Sequence, residues 1–285
     1  MLTENLVVIH ECMGEEEQRL RRLVLKGPIA KTAQAGQFVA VQVQDSSILS
    51  FDPLLRRPFS LAEISPDQDE ITLLYRIQGR GTEILARAQR GERLSVMGPL
   101  GKGFSLPGAG ELWLVAGGIG IFPLYALAQS ALAQGLLVRL FWGGETQSFL
   151  KSAGLPAWRA LGIPMHLSTL DGTLGDKGLV TGPLLGRLVQ MFEQTKQASH
   201  LSSEREQISA AACGPKKMMQ AVTELCMDFA VPVQVSLEER MGCAVGACLG
   251  CVCTLIDQAD TLSHKKVCQD GPVFRGEEVV WDASC

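Results

Sequence analysis

The stretch Leu112–Val138, LWLVAGGIGIFPLYALAQSALAQGLLV, runs 27 residues without a charge, which is long enough to cross a bilayer. Its interior argues otherwise. Gly117, Gly118 and Gly120 sit together, Pro123 follows, and Gln129, Gln134 and Gly135 interrupt the run further. The pattern reads as a buried strand (Leu112–Ala116), a glycine turn, a helix (Phe122–Ala133), a second turn and the start of the next strand (Leu137–Trp142). Working outward, Met165–Thr169, Ile208–Ala212 and Pro232–Ser236 read as further strands, and Pro215–Phe229 as a helix. That alternation predicts a mostly parallel sheet with helices on both sides. Met191–Gln207 is polar, carries both charge signs, and reads as an exposed excursion between a helix and a strand.

Towards the N-terminus the rhythm changes. Leu6–His10, Gln18–Leu25, Phe38–Val43, Phe59–Ile64, Ile71–Ile77 and Arg93–Met97 are short apolar or alternating runs separated by Gly, Pro and Asp. Six such strands predict a small antiparallel barrel. One helix interrupts them, with Thr82 as its expected N-cap and Gly91 as its stop. The last fifty residues read as a small appendage organised around a site. The expected division is 1–106, 107–236 and 237–285.

The formal net charge of −4 gives no electrostatic case for nucleic acid or an anionic membrane. Met1–His10 has neither a positive region nor a long apolar run, so no secretory signal is expected and the chain reads as cytoplasmic. Its nine cysteines are then not expected to form disulfides.

Cys243-x4-Cys248-x2-Cys251, with Cys268 after sixteen intervening residues, is the strongest chemical signal. Four thiolates in C-x4-C-x2-C order plus a distant fourth suit a 2Fe–2S cluster. Ala244, Gly246, Ala247 and Gly250 are small, so the backbone can wrap closely and aim N–H groups at sulfur. A zinc site favours two C-x2-C pairs, and only one exists unless Cys253 substitutes. Buried free cysteines are the plain alternative. Cys253 alternates with Cys251 and is expected to pack inward as a spectator. Cys12, Cys226 and Cys285 have no context.

Two further signals concern nucleotides. In Arg57-Pro58-Phe59-Ser60 a guanidinium can pair with a diphosphate, while strand backbone and a Ser hydroxyl can bond a flavin edge. Leu74-Tyr75-Arg76 follows, then Gly81-Thr82 at a helix start, where free N–H groups favour phosphate. Tyr75 can stack on a flavin or fill the barrel wall. Gly117-Gly118-Ile119-Gly120 resembles a dinucleotide turn but carries Pro123 where the third Gly of G-x-G-x-x-G stands. Cys213-Gly214-Pro215 again joins strand to helix, and its thiol is either buried or nicotinamide-facing. Arg139 and the loop Gly143-Gly144-Glu145-Thr146 are expected near the ribose 2′ position.

The order of these signals resembles the ferredoxin–NADP reductase superfamily. The tail, Glu238-Glu239-Arg240-Met241-Gly242-Cys243 to Cys251 with Val267-Cys268-Gln269-Asp270-Gly271-Pro272, is similar to the electron-transfer subunits of type B dihydroorotate dehydrogenases. That resemblance implies FAD on Arg57, Pro58, Phe59, Ser60, Leu74, Tyr75, Arg76, Gly81 and Thr82. It implies one 2Fe–2S cluster on Cys243, Cys248, Cys251 and Cys268. NAD(H) as co-substrate is expected at Gly117, Gly118, Gly120, Cys213, Gly214 and Pro215. The resemblance also implies a heterotetramer of two such chains with two FMN-containing catalytic subunits, serving pyrimidine biosynthesis. Two other readings stand beside it: the small subunit of a ferredoxin or sulfide reductase, and a non-catalytic redox-sensing protein.

Overall fold

The computed structural model describes residues 1–43, 52–197, 208–257 and 259–282. Seven antiparallel strands form the first sheet: β1 (Leu2–Cys12), β2 (Leu20–Lys26), β3 (Phe38–Val41), β4 (Arg57–Ser60), β5 (Glu63–Ser65), β6 (Glu70–Arg76) and β7 (Arg93–Leu100). Their order is β4-β3-β7-β1-β2-β6-β5. The two edge strands are consecutive in the chain. Between them the Leu61 N–H donates to Gln37 O at 3.1 Å and the Ala62 N–H to Thr72 O at 2.9 Å. This corner stitches one end of the sheet to the other and covers the open edges. It also splits the single strand expected over Phe59–Ile64. Val7, Leu23, Val39, Leu61, Ile71 and Leu73 fill the interior.

The helix between β6 and β7 is α1 (Arg80–Leu85). Thr82 is not its N-cap. Gly79 holds that place, and Thr82, one turn in, accepts the Gln78 and Gly79 N–H groups on its hydroxyl at 3.0 and 3.2 Å. The two terminal donors are satisfied from inside the helix, as in a capping box.

The second sheet follows the βα alternation. β8 (Glu111–Gly117), α2 (Ile121–Ala133), β9 (Leu137–Gly144), α3 (Gln147–Ser152), α4 (Leu155–Ala160), β10 (Met165–Thr169), β11 (Asp176–Lys177), α5 (Thr181–Gln197), β12 (Ile208–Cys213), α6 (Lys216–Asp228) and β13 (Val233–Ser236) follow in turn. Leu112–Val138 is therefore strand, helix and strand. No helix among the described residues is long and apolar enough to cross a membrane. Met191–Gln197, expected in an excursion, continues α5, while 198–207 lies outside the described residues.

After β13 come a hairpin of β14 (Val252–Ile256) and β15 (Leu262–Lys266), and then β16 (Val273–Arg275). The sheet order is β11-β10-β9-β8-β12-β13-β16, parallel throughout except for β16 on β13. β8 and β12 are neighbours from which the chain runs outward in opposite directions, β8 to β9, β10 and β11 and β12 to β13. That is a topological switch point, where a crevice opens at the strands' carboxyl ends. Both faces are covered. Leu112, Leu114, Leu140 and Trp142 pack towards α2, and Trp113, Val115 and Phe141 towards Leu184, Leu188 and Val222 of α5 and α6.

The C-terminal stretch is less separate than its composition implies. Cys251, Leu255, Val267, Cys268, Phe274 and Val279 belong to the same core as Trp113 and Val235. A segment this small has too little interior of its own and borrows the face of the sheet.

Candidate functional site

The crevice at the switch point is made by two turns that touch. Gly118 has φ +55 and Gly214 φ +153, conformations open to glycine. A Cβ on Gly120 would lie 2.3 Å from Cys213 O, and one on Gly214 2.9 Å from Gly117 N. The two strand-to-helix turns therefore meet at backbone distance, and side chains there are excluded. The resulting cleft holds about 370 Å³, and Arg76, Gly117, Gly118, Gly120, Gly214 and Pro215 all line it. Pro123 sits in the first turn of α2, where a missing N–H costs nothing.

Cys213 does not present its thiol to this cleft. The side chain is 1% exposed, and burial pushes the thiol well above its ordinary range. Arg139 is also placed differently from expectation. Its Nε donates to the buried carboxylate of Glu111 at 2.8 Å, towards the start of β8 and away from the Gly143–Gly144 end. Glu145, from the loop expected near the ribose 2′ position, lines the cleft together with Lys216 and Glu238, which no cofactor-spacing signal marks. Burial raises the Glu238 carboxyl above the usual carboxylate range.

Around the barrel edge, alternation sorts the expected flavin residues. Phe59 and Tyr75 point into the barrel, with ring centroids 5.3 Å apart, and the Tyr75 hydroxyl meets His10 Nε2 at 2.9 Å. Tyr75 therefore fills the wall rather than facing outward. Leu74 and Arg76 leave β6 on the other face. The Arg76 guanidinium lies 4.9 Å from the Phe149 ring centroid and 3.5 Å from Glu145, and its Nε is buried without a hydrogen-bond partner among the described residues. Arg57 lies against α1: a Cβ on Gly81 would fall 2.6 Å from its Nε. Arg57, Gly81 and Thr82 are thus brought together at one end of α1. Pro58 and Ser60 are half-buried on the alternate face of β4.

The four cysteines come as two pairs. In the first, the N–H groups of Val245, Ala247 and Cys248 reach Cys243 Sγ at 3.5, 3.2 and 3.3 Å, and the Cys243 N–H reaches Cys248 Sγ at 3.4 Å. In the second, the Cys268 N–H points to Cys251 Sγ at 3.5 Å and the Gly246 N–H to Cys268 Sγ at 3.1 Å. Positive φ at Ala244, Gly246 and Leu249 turns these amides inward. The Val245 and Cys248 N–H groups pull the Cys243 thiol down to about 6. Burial, followed by neighbouring Cys251, pushes Cys268 up to about 12. Cys251 and Cys268 are buried, while Cys248 is exposed. Among the described residues no three His, Cys, Asp or Glu gather at single-ion spacing. A loop of thiolate-directed amides around paired cysteines fits an iron–sulfur cluster. Cys253 is buried but also walls the switch-point cleft. Cys226 is buried, Cys12 exposed, and Cys285 lies outside the described residues.

With this geometry in view, comparisons with known proteins are specific. Residues 238–280 match the family model described as the iron-sulfur cluster binding domain of dihydroorotate dehydrogenase B. The chain is 40% identical over 267 residues to the "Dihydroorotate dehydrogenase B (NAD(+)), electron transfer subunit" of Bacillus caldolyticus, covering 92% of this chain and 93% of that protein. It is 36% identical to the protein of the same name from Bacillus cereus (strain Q1), over 98% and 99% of the two chains. Among solved structures it is similar to that of an NADH-dependent reduced ferredoxin-NADP oxidoreductase, with TM-score 0.78 and 28% identity over 98% of this chain and 90% of that one. The ferredoxin reductase in carbazole 1,9a-dioxygenase shares the fold at TM-score 0.62 and 19% identity, covering 82% and 68%. By sequence along nearly its whole length, and by the cysteine loop that ends it, the chain belongs to the family of electron transfer subunits of dihydroorotate dehydrogenase B (NAD(+)).

Proposed function

We propose that Cys243, Cys248, Cys251 and Cys268 hold the 2Fe–2S cluster, one cysteine pair to each iron. FAD would be held at the edge of the barrel by Pro58 and Ser60 of β4, Leu74 and Arg76 of β6, Arg57 beside α1 and the Gly81–Thr82 turn, with Phe59 and Tyr75 backing the strands from inside. NAD(H) occupies the cleft at Gly117, Gly118, Gly120, Gly214 and Pro215, and Cys213 contributes backbone rather than thiol. The chain divides functionally at 1–106, 107–236 and 237–285. It works in the cytoplasm, in a heterotetramer with an FMN-containing dihydroorotate dehydrogenase subunit.

The observation that carries this reading is the ring of backbone N–H groups aimed at Cys243, Cys248, Cys251 and Cys268. When bound, FAD and the cluster convert between two-electron hydride exchange with NAD(H) and the single-electron transfers that reach the partner subunit. The protein's part is placement. The N–H groups stabilise thiolate charge, glycines at the two turns admit a dinucleotide backbone, and Arg57 and Arg76 supply cations for a diphosphate.

The test is NADH oxidation by the native complex, with and without orotate. Orotate-dependent oxidation is expected. Flavin and cluster present with no response to orotate would transfer the chain to the ferredoxin reductase reading, which the similarity to the NADH-dependent reduced ferredoxin-NADP oxidoreductase supports.

A further inference from the structure

His10 is a half-buried titratable group outside these sites. His10, on β1, places Nδ1 at 2.8 Å from Ala88 O and Nε2 at 2.9 Å from the Tyr75 hydroxyl. A carbonyl only accepts, so Nδ1 carries the proton, and Nε2 accepts from the Tyr75 O–H. Burial lowers the imidazole's affinity for a second proton, in keeping with a neutral ring. The Tyr75 ring in turn rests on Phe59. A single imidazole therefore ties together three segments: the turn after α1 through Ala88, β6 through Tyr75, and β4 through Phe59. β6 carries Leu74 and Arg76, β4 carries Arg57 and Ser60, and the turn follows α1, whose first turn holds Gly81 and Thr82.

We propose that His10 is a positioning residue for the flavin site, acting through Tyr75 to hold β4, β6 and α1 in the mutual arrangement that the cofactor requires. The inference rests on the assignment of FAD to this edge. His10 touches no proposed ligand; it acts because a strand's inward side chain sets the aim of its outward neighbours. Tyr75 is flanked by Leu74 and Arg76, and its rotation would re-aim both. A Gln at position 10 carries a donor and an acceptor on one amide and can replace both contacts, whereas Leu fills space and replaces neither.

The experiment uses the full chain, stripped of flavin and titrated with FAD, with flavin fluorescence giving affinity and visible circular dichroism giving geometry. Cluster absorbance and far-ultraviolet dichroism establish that each variant is folded. His10→Leu and Tyr75→Phe are expected to weaken FAD roughly tenfold, the loss typical of one hydrogen bond, and to alter the flavin dichroism. His10→Gln is expected to restore both to near the parent values. Should His10→Leu fail to fold, Tyr75→Phe decides, since it removes one oxygen and keeps the ring. FAD affinity and dichroism unchanged in Tyr75→Phe, with Arg57→Ala weakened, would overturn the role of His10 alone. Arg57→Ala binding FAD as the parent does would overturn the flavin assignment itself, and the inference with it.

Discussion

At the residue scale the clearest contrast lies among the cysteines. Cys251, Cys253 and Cys268 are all buried, so burial does not distinguish ligand from spectator. Surroundings do: Cys251 and Cys268 lie within reach of one another and of inward amides, while Cys253 walls the cleft. Cys268→Ser should abolish the cluster's visible absorption and most of the bound iron, and Cys253→Ser should keep both. Equal iron loss in the two variants would refute the ligand assignment. The grouping of Cys243, Cys248, Cys251 and Cys268, the proposed ligands, was legible from spacing, because a cluster demands four thiolates with a short wrap between three of them. Tyr75 was not. Its residue type suits either face of a strand, and only the contact with His10 and Phe59 selects one.

At the element scale the two glycine turns decide whether the cleft exists. Gly120 meets backbone that cannot move aside, at 2.3 Å from Cys213 O. Gly120→Ala should destabilise the protein by about 1–3 kcal/mol, as overpacking does, and weaken NADH binding, since the turns would be forced apart. Gly186 is the control of opposite sign. It lies inside α5 with nothing near its Cβ direction, so Gly186→Ala should stabilise by about 0.5–1 kcal/mol through helix propensity. Denaturant midpoints of the two variants check both signs, and a Gly120→Ala midpoint equal to the parent's would remove the close-approach argument. The strands and helices of this half were readable because apolar periodicity is local. The position of Arg139 was not, because its partner Glu111 stands 28 residues away in the chain.

At the scale of the whole molecule, the C-terminal stretch and the parallel sheet share one core. β16 closes the sheet on β13, and the Leu237 N–H donates to Pro272 O at 2.9 Å. Cluster removal should therefore loosen more than the cysteine loop. Amide exchange at Val233–Ser236 and Val273–Arg275 should quicken after chelation, while β1 and β2 of the barrel keep their protection, because cooperative units follow shared cores. Exchange confined to the cysteine loop, or spread evenly over the barrel, would refute this coupling.

The sequence by itself determined the two kinds of sheet, the cysteine set and the order of the nucleotide turns, since periodicity, ligand spacing and glycine punctuation all act over a few residues. Tertiary structure alone decided the rest. It closed the barrel through the Leu61–Ala62 corner, turned Tyr75 inward to His10, buried the thiol of Cys213 and paired Arg139 with Glu111. It also merged the cysteine module with the core of the sheet. Each of these depends on which distant surface a side chain meets, and burial and partnership are properties of the packed molecule rather than of the local chain.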